Sequence, residues 1–414
     1  MNKELLTIEE ASSTYQLATD NCGLRKGYKQ TEVGVIPEDW SVGELGNLSV
    51  FITSGSRGWA RYYSDSGALF VRSQNVRKGR LDLSDSQFVN PPQGSEGSRT
   101  QVQHSDLLIT ITGNSVGNVA LVDQDLGEAY ISQHVGLVRL REPSYGQYVC
   151  RFLSPGSPYN RQISASQSGQ SKPGLTLRNL QNFWVALPPL LEQQSIAKTL
   201  NNVDALLDSL DQLITKKRDL KQAAMQQLLT GQTRLPGFSC AWTIKPLGDV
   251  VSIQKGQLIT EKDAVSADIP VIAGGKTPAY FHNKPNRTGK TITISASGAS
   301  AGYVAFFDTP IFASDCSTIS DSQLYSIEFF YYQLQLKQEV IYNAQTGGAQ
   351  PHIHAVDLIP LQIGCPSLFE QTAIAIVLSD IDTEISALEA HRDKTKDLKQ
   401  GMMQELLTGR IRLI

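Results

Sequence analysis

The stretch RDLKQAAMQQLLTGQTRL, from Arg218 to Leu235, returns as KDLKQGMMQELLTGRIRL from Lys396 to Leu413. The correspondence is wider than these lines. An offset of 368 − 190 = 178 pairs Leu190 with Leu368, Glu192 with Glu370, Gln193 with Gln371, Ala197 with Ala375 and Asp204 with Asp382. It runs without a gap to Leu235 and Leu413, and 21 of the 46 aligned positions are identical. Identity extends to polar pairs such as Lys221/Lys399, Gln222/Gln400 and Gln226/Gln404, which core packing alone would not require. One structural unit is therefore written twice.

That unit reads as a long helix. Apolar residues recur at Ile196, Leu200, Val203, Leu207, Leu210 and Ile214, and in the second copy at Ile374, Leu378, Ile381, Ile385 and Leu388. Spacings of three and four place them on one stripe, the seam of a coiled coil. Ser367 with Glu370 three residues on predicts a capping box, and Pro189 stands at the corresponding place in the first copy. Gly231 and Gly409 suit a left-handed helix stop. Glu192 to Thr230 is 39 residues, about 58 Å of helix.

Different segments precede the two helices, yet they share landmarks. DWSVGELGNL from Asp39 and AWTIKPLGDV from Ala241 each place a Trp before Leu-Gly. LLITITGNSVGNVALVD (107–123) and TITISASGASAGYVAFFD (291–308) each read strand, glycine pair, strand, with Gly113 and Gly117 answering Gly298 and Gly302. Each segment closes on a Gly/Gln-rich loop and a strand running into proline. Short β-rich runs mixed with helices such as EFFYYQLQLKQEVIYN predict α/β (α+β) domains. The plan is variable globule, constant helix, variable globule, constant helix. Related by a two-fold axis, the helices would run antiparallel and hold a globule at either end of a rod. Duplex DNA suits such an object, because a protein two-fold maps onto two half-sites.

Bulk properties narrow the classes. The chain has 414 residues, enough for two or three domains. No apolar run is long enough to span a membrane, and the N-terminal twenty residues lack the apolar core of a signal peptide. Five scattered cysteines, with no Cys-x-x-Cys, predict a reducing, cytoplasmic setting. The net charge of −3 argues against a protein that binds DNA unaided. Residues 36–187 hold 13 Lys/Arg against 12 Asp/Glu, and residues 239–365 hold 8 against 10.

In order and duplication, GYKQTEVGVIPEDW, LPPLLEQQSIAKTL, LLTGQTRL, FEQTAIAIVLSDIDTEI and LLTGRIRL resemble the specificity subunit of a type I restriction–modification system. The resemblance covers nearly the whole chain from Gly27. It implies two target recognition domains (27–190 and 236–368), each reading half of a split site in double-stranded DNA. It also implies two conserved helical spacers (191–235 and 369–414), arranged as a pair of antiparallel coiled-coil helices with an internal pseudo-two-fold repeat. The helices would act as ruler and as docking surface for two modification (methyltransferase) subunits, which restriction subunits join. S-adenosylmethionine, ATP and Mg would be used by those partners, and this chain would be non-catalytic. Residues 1–26 fall outside the resemblance.

Base edges are read by Arg, Lys, Asn, Gln, Ser and Thr. In the first globule the candidates are Arg57 and Arg61; the cluster Arg72, Gln74, Asn75, Arg77, Lys78 and Arg80; and Gln167, Gln170 and Lys172. In the second they are Lys276, Thr277, Tyr280, His282, Asn283, Lys284, Arg287, Lys290, Gln350 and His352.

Catalytic motifs fail on inspection. VNPPQ (89–93) has Gln93 where an adenine methyltransferase signature needs an aromatic, and no Gly-rich cofactor loop precedes it. GGKT (274–277) and TGKT (288–291) have Pro270 and Lys284 where a phosphate loop needs glycine. His352 and His354 lack a third ligand for a metal. Two further readings stay open: the specificity subunit of a fused restriction–methyltransferase enzyme, and a coiled-coil scaffold carrying two globules with no DNA role.

Overall fold

The duplicated stretches form two unbroken helices, and each ends where its glycine stands. The computed structural model describes residues 26–92, 94–167, 174–265, 267–347 and 350–413. Residues 1–25 and the candidates Gln170 and Lys172 lie outside them. The chain divides into two compact units. One gathers the chain up to Asp208 with the stretch from Asp393 onward; the other is Ser209–Arg392.

In the first unit, strands β1 (Ser49–Ser54), β2 (Ala68–Val71), β3 (Leu107–Thr110), β4 (Val119–Leu121), β5 (Ala129–Ile131) and β6 (Val135–Leu140) carry the fold. Four make an antiparallel sheet in the order β1-β6-β3-β4. β5 pairs in parallel with β2, Ile131 opposite Val71, in a second sheet. A ribbon of Ser41–Glu44 with Trp184–Leu187 leads into helix α1 (Leu190–Leu228).

The second unit repeats this connectivity with β7 (Ile253–Lys255), β8 (Ile269–Ile272), β9 (Thr291–Ser295), β10 (Val304–Phe307), β11 (Phe312–Ala313) and β12 (Cys316–Ser320). The order is β7-β12-β9-β10, β11 pairs in parallel with β8, and the ribbon Thr243–Pro246 with Gln362–Cys365 leads into α2 (Leu368–Leu407). The expected helix over 328–343 is two helices, Ile327–Leu336 and Gln338–Asn343, broken at Lys337.

Gly231 and Gly409 sit at φ 72° and 70°, as a left-handed stop requires. Beyond them the Thr233 N–H reaches Gln227 O and the Ile411 N–H reaches Glu405 O at 3.1 and 3.2 Å, closing each last turn. The expected capping box is only half made. Ser367 Oγ accepts the Glu370 N–H at 3.4 Å, but the Glu370 carboxylate is used elsewhere.

The seam residues are buried or half-buried, but not all face another helix. Ile196 and Leu200 enter the core of the first unit with Trp40, Phe152, Met403, Leu406 and Leu407. Ile374 and Leu378 do the same in the second, with Leu228, Leu229, Phe329 and Phe330. Each globule thus closes its core with the start of one helix and the end of the other. Truncating such a leucine to alanine costs about 2–5 kcal/mol. Within each unit the two helical segments run in opposite directions. Asp204 pairs with Lys399 in the first unit; in the second, Asp382 pairs with Lys221 and accepts the Tyr332 hydroxyl at 2.8 Å.

A buried polar lock is also repeated. Arg412 grips Glu192 through Nε–Oε1 at 2.7 Å and Nη2–Oε2 at 2.8 Å, and Asp39 at 3.0 and 2.6 Å. Trp40 Nε1 donates to the same Glu192 at 3.1 Å, its ring 5.7 Å from the guanidinium. In the second unit Arg234 holds Glu370 at 2.6 and 2.7 Å, Trp242 Nε1 donates at 3.2 Å, and the ring lies 5.6 Å away. Ala241 stands where the first unit has Asp39. The hydrogen bonds that Arg412 donates to Glu192 and Asp39 raise its own pKa further and hold Asp39 below the usual carboxylate range.

Glu192 is 3% exposed and Glu370 2%, so removing the arginine strands a buried charge. We expect Arg412→Ala to destabilise the first unit by roughly 3–5 kcal/mol, whereas Arg412→Ala with Glu192→Leu recovers much of the loss. Hydrogen exchange with denaturant titration checks this: protection should fall around Trp40 and Leu200. Equal loss in the single and double variants would contradict it.

Candidate nucleic-acid interface

At one end of the four-stranded sheet in the first unit, several loops are tied to one short turn. Ser132, Gln133 and His134 carry the chain from β5 to β6. The Ser132 N–H donates to Val71 O at 2.9 Å, the Ile111 N–H to His134 O at 2.9 Å, and the Gly55 N–H to Val135 O at 3.2 Å. Gly55 is forced: a Cβ there would run into the backbone of Ile131 and Ser132. Thr112 Oγ1 bonds His134 Nδ1, and Gln133 Nε2 lies 3.1 Å from His134 Nε2. The Leu175 N–H donates to Ile111 O at 2.8 Å and brings a fourth segment in. At the rim Arg99 donates to Ser54 O at 2.8 Å and to Ser56 Oγ at 2.6 Å.

The second unit builds the same frame from different residues. The Ser314 N–H donates to Ile272 O at 2.8 Å, the Ala296 N–H to Asp315 O at 3.1 Å, the Gly256 N–H to Cys316 O at 2.8 Å and the Ile353 N–H to Ala296 O at 2.9 Å. Gly256 is as tightly placed against Ser314 as Gly55 is against Ser132. Ser297 Oγ donates to Asp315 Oδ2, so Asp315 takes the place of His134, and Ser297 that of Thr112. Sequence inspection missed all four. The two halves align there only after strand pairing is known, and the first turn is one residue longer.

The structure divides the residues singled out from sequence. The 72–80 stretch and the Lys276 loop leave topologically equivalent strands, β2 and β8. Asn75 was expected to face DNA. Instead it is 2% exposed; it accepts from the Arg72 N–H and donates to Asp82 O and Asp85 O, all at 2.9 Å. That amide is spent on its own loop. Arg72 and Gln74 both bind Asp85, Arg77 lies 3.7 Å from Asp82, and Arg80 binds Asp208 on α1. Arg287 is likewise committed, to Thr318 Oγ1, Asn286 O and Lys255 O. Lys290 pairs with Glu328, and the Tyr280 hydroxyl with Ile259 O. His282 is buried, its Nδ1 accepting the Val265 N–H at 3.1 Å.

Others face solvent with no carboxylate partner among the described residues: Arg57, Arg61 over the Tyr62 ring, Lys78, Lys276 over the Tyr303 ring, Thr277, Asn283, Lys284 and Gln350. Gln167 is half-buried beside the first-unit cluster, near Gly117. The His352 and His354 rings stack 6.3 Å apart. Among the described residues no group of three His, Cys, Asp or Glu is placed to hold a metal ion. Burial pushes the Cys150 thiol up to about 11 and Cys316 to about 12, so neither is a ready nucleophile. No helix of the described residues is long and apolar enough to cross a membrane.

Comparison with known proteins agrees with this duplicated plan. A family model described as the type I restriction modification DNA specificity domain matches residues 93–217 and again 241–396. A putative type I restriction enzyme MjaX specificity subunit of Methanocaldococcus jannaschii is 25% identical over 94% of this chain and 97% of its own. The MjaVIII specificity subunit of the same organism is 22% identical over 91% and 94%. In fold, the chain is similar to the crystal structure of a type I restriction–modification S subunit from M. genitalium, with a TM-score of 0.64 and 16% identity. That match covers 89% of this chain and 96% of the other. With both halves matched and the two-globule, two-helix plan in place, the chain belongs to the type I restriction modification DNA specificity family, as a specificity subunit of a type I system carrying two specificity domains.

Proposed function

We propose that this specificity subunit is non-catalytic and reads a bipartite site in double-stranded DNA, one half with each globule, through the loop clusters around His134 and Asp315. The observation that carries the reading is the repetition itself: one hydrogen-bond frame, built twice, with different side chains at its centre. A frame that holds while its exposed centre changes is what two readers of unlike half-sites need.

The two helices would form one antiparallel coiled coil with pseudo-two-fold symmetry, setting the gap between half-sites. The matched pairs Asp204–Lys399 and Asp382–Lys221, and the unbroken spans of α1 and α2, support this. Two modification subunits and the restriction subunits would dock on the assembly. S-adenosylmethionine, ATP and Mg would belong to them, and the complex would work in the cytoplasm, where its DNA lies. Both globules are close to neutral, and several arginines are neutralised by their own carboxylates. Most phosphate contacts, which dominate affinity, would therefore come from the partners.

Three outcomes follow. Exchanging residues 239–365 for those of another specificity subunit should alter one half-site in a genomic methylation map; changes in both would contradict independent reading. Adding one helical turn at equivalent positions of α1 and α2 should lengthen the unread gap by about one or two base pairs. A new half-site sequence would remove the ruler role. Finally, the subunit alone should bind its site far more weakly than the complex at physiological salt, as a fluorescence titration would show. Equal affinities would overturn the division of labour.

A further inference from the structure

The centre of each loop cluster is one residue, held the same way in both units. His134 and Asp315 each accept, at the main-chain carbonyl, the N–H of the residue one beyond the central strand's exit, Ile111 and Ala296. Each is held at the side chain by the hydroxyl that follows, Thr112 and Ser297. Each is followed by the residue whose carbonyl anchors an obligate glycine, Gly55 or Gly256. Backbone bonds from three other segments fix the turn, so its side chain is placed with little freedom. His134 is exposed and Asp315 half-exposed, and no cation pairs with Asp315 among the described residues.

Resting on the proposed reading of DNA by these clusters, we propose that His134 and Asp315 are the paired specificity-determining residues of the two globules, and that Asp315 selects a cytosine or an adenine. A carboxylate brought to a polyanion is repelled unless it meets a donor. In the major groove the base donors are the cytosine N4 and adenine N6 amino groups. Guanine and thymine present only acceptors at the corresponding positions and are rejected by Asp315. Ser297 fills Oδ2, which leaves Oδ1 to take the base donor. His134 can donate or accept, so the first globule reads a different base pattern from the same place. Thr112 and Ser297 are positioning residues: they aim the side chain and do not themselves touch the base.

The test is a genomic methylation map of cells carrying the whole system with Asp315→Asn, Asp315→Ala or His134→Ala. Asparagine keeps the shape and the acceptor but adds a donor. Asp315→Asn should therefore let the excluded bases in at one position of the second half-site, with discrimination there falling roughly tenfold or more. Asp315→Ala should relax that same position, and Ser297→Ala should weaken it less. His134→Ala should relax one position of the first half-site only. Continued methylation at the unchanged half-site shows that each variant folds and assembles. If Asp315→Ala leaves the second half-site unaltered while methylation persists, the assignment is overturned and the bipartite reading stands. If Asp315→Asn leaves that position as strictly read as it is with Asp315, the donor argument is overturned. If the unmodified system shows no bipartite motif, the reading beneath both falls instead.

Discussion

A carboxylate taken out of water must be met by charge and hydrogen bonds, or it costs several kcal/mol. Glu192 and Glu370 are such groups, and everything in each unit is arranged to meet them. An arginine arrives from just beyond a helix end, a tryptophan N–H arrives from the start of the globule, and the tryptophan ring lies under the guanidinium. Three stretches distant in sequence are forced to one point. In the first unit they are residues 40, 192 and 412; in the second they are 242, 370 and 234. The arginine that follows each helix thus serves the globule that the other helix leaves. A buried ion pair is weak evidence for net stability, because hydrophobic replacements often do as well. Its contribution is directional: Arg–carboxylate geometry accepts one register, whereas a leucine seam tolerates slippage by a turn.

That register matters because the seam is not uniform. Ile196 and Leu200 are core residues of a globule as much as helix partners, and so are Ile374 and Leu378. Sliding one helix would therefore empty a globule core as well as break an ion pair. Each globule shares one core with its helix ends, which is why the units divide within the helices, at Asp208/Ser209 and Arg392/Asp393.

What was legible in the sequence was whatever repeats at a fixed offset. The helices, their glycine stops and the paired glycines at 113/117 and 298/302, all four at positive φ, could be read directly. The Glu–Arg lock was visible as the identities Glu192/Glu370 and Arg234/Arg412, but identity does not say which residue meets which. Pairing Glu192 with Arg412 rather than with Arg234 needs the antiparallel arrangement. The loop clusters were not legible for another reason. Basic, solvated runs such as 72–80 attract attention because DNA is anionic, yet Arg72, Arg80 and Arg287 are occupied by their own loops and helix. His134 and Asp315 carry no such compositional signal. Their position becomes apparent only when the β5–β6 and β11–β12 turns are superposed through backbone hydrogen bonds.

The near-neutral globules follow from the same economy. A surface that must discriminate bases cannot also be saturated with lysine, because nonspecific phosphate attraction raises affinity for every sequence alike. Discrimination comes from rigidly aimed groups whose wrong pairing leaves a buried polar atom unmet. The frame around His134 and Asp315 supplies that rigidity with main-chain hydrogen bonds, which do not depend on side-chain identity. The residue at the centre can therefore differ between the two units without cost to the fold, and the acid at the second centre is tolerable because it keeps contact with solvent and accepts the Ser297 hydroxyl. On the proposed reading, a globule built this way would bind weakly with a sharp preference, and that preference would become useful once partner subunits hold the duplex against it.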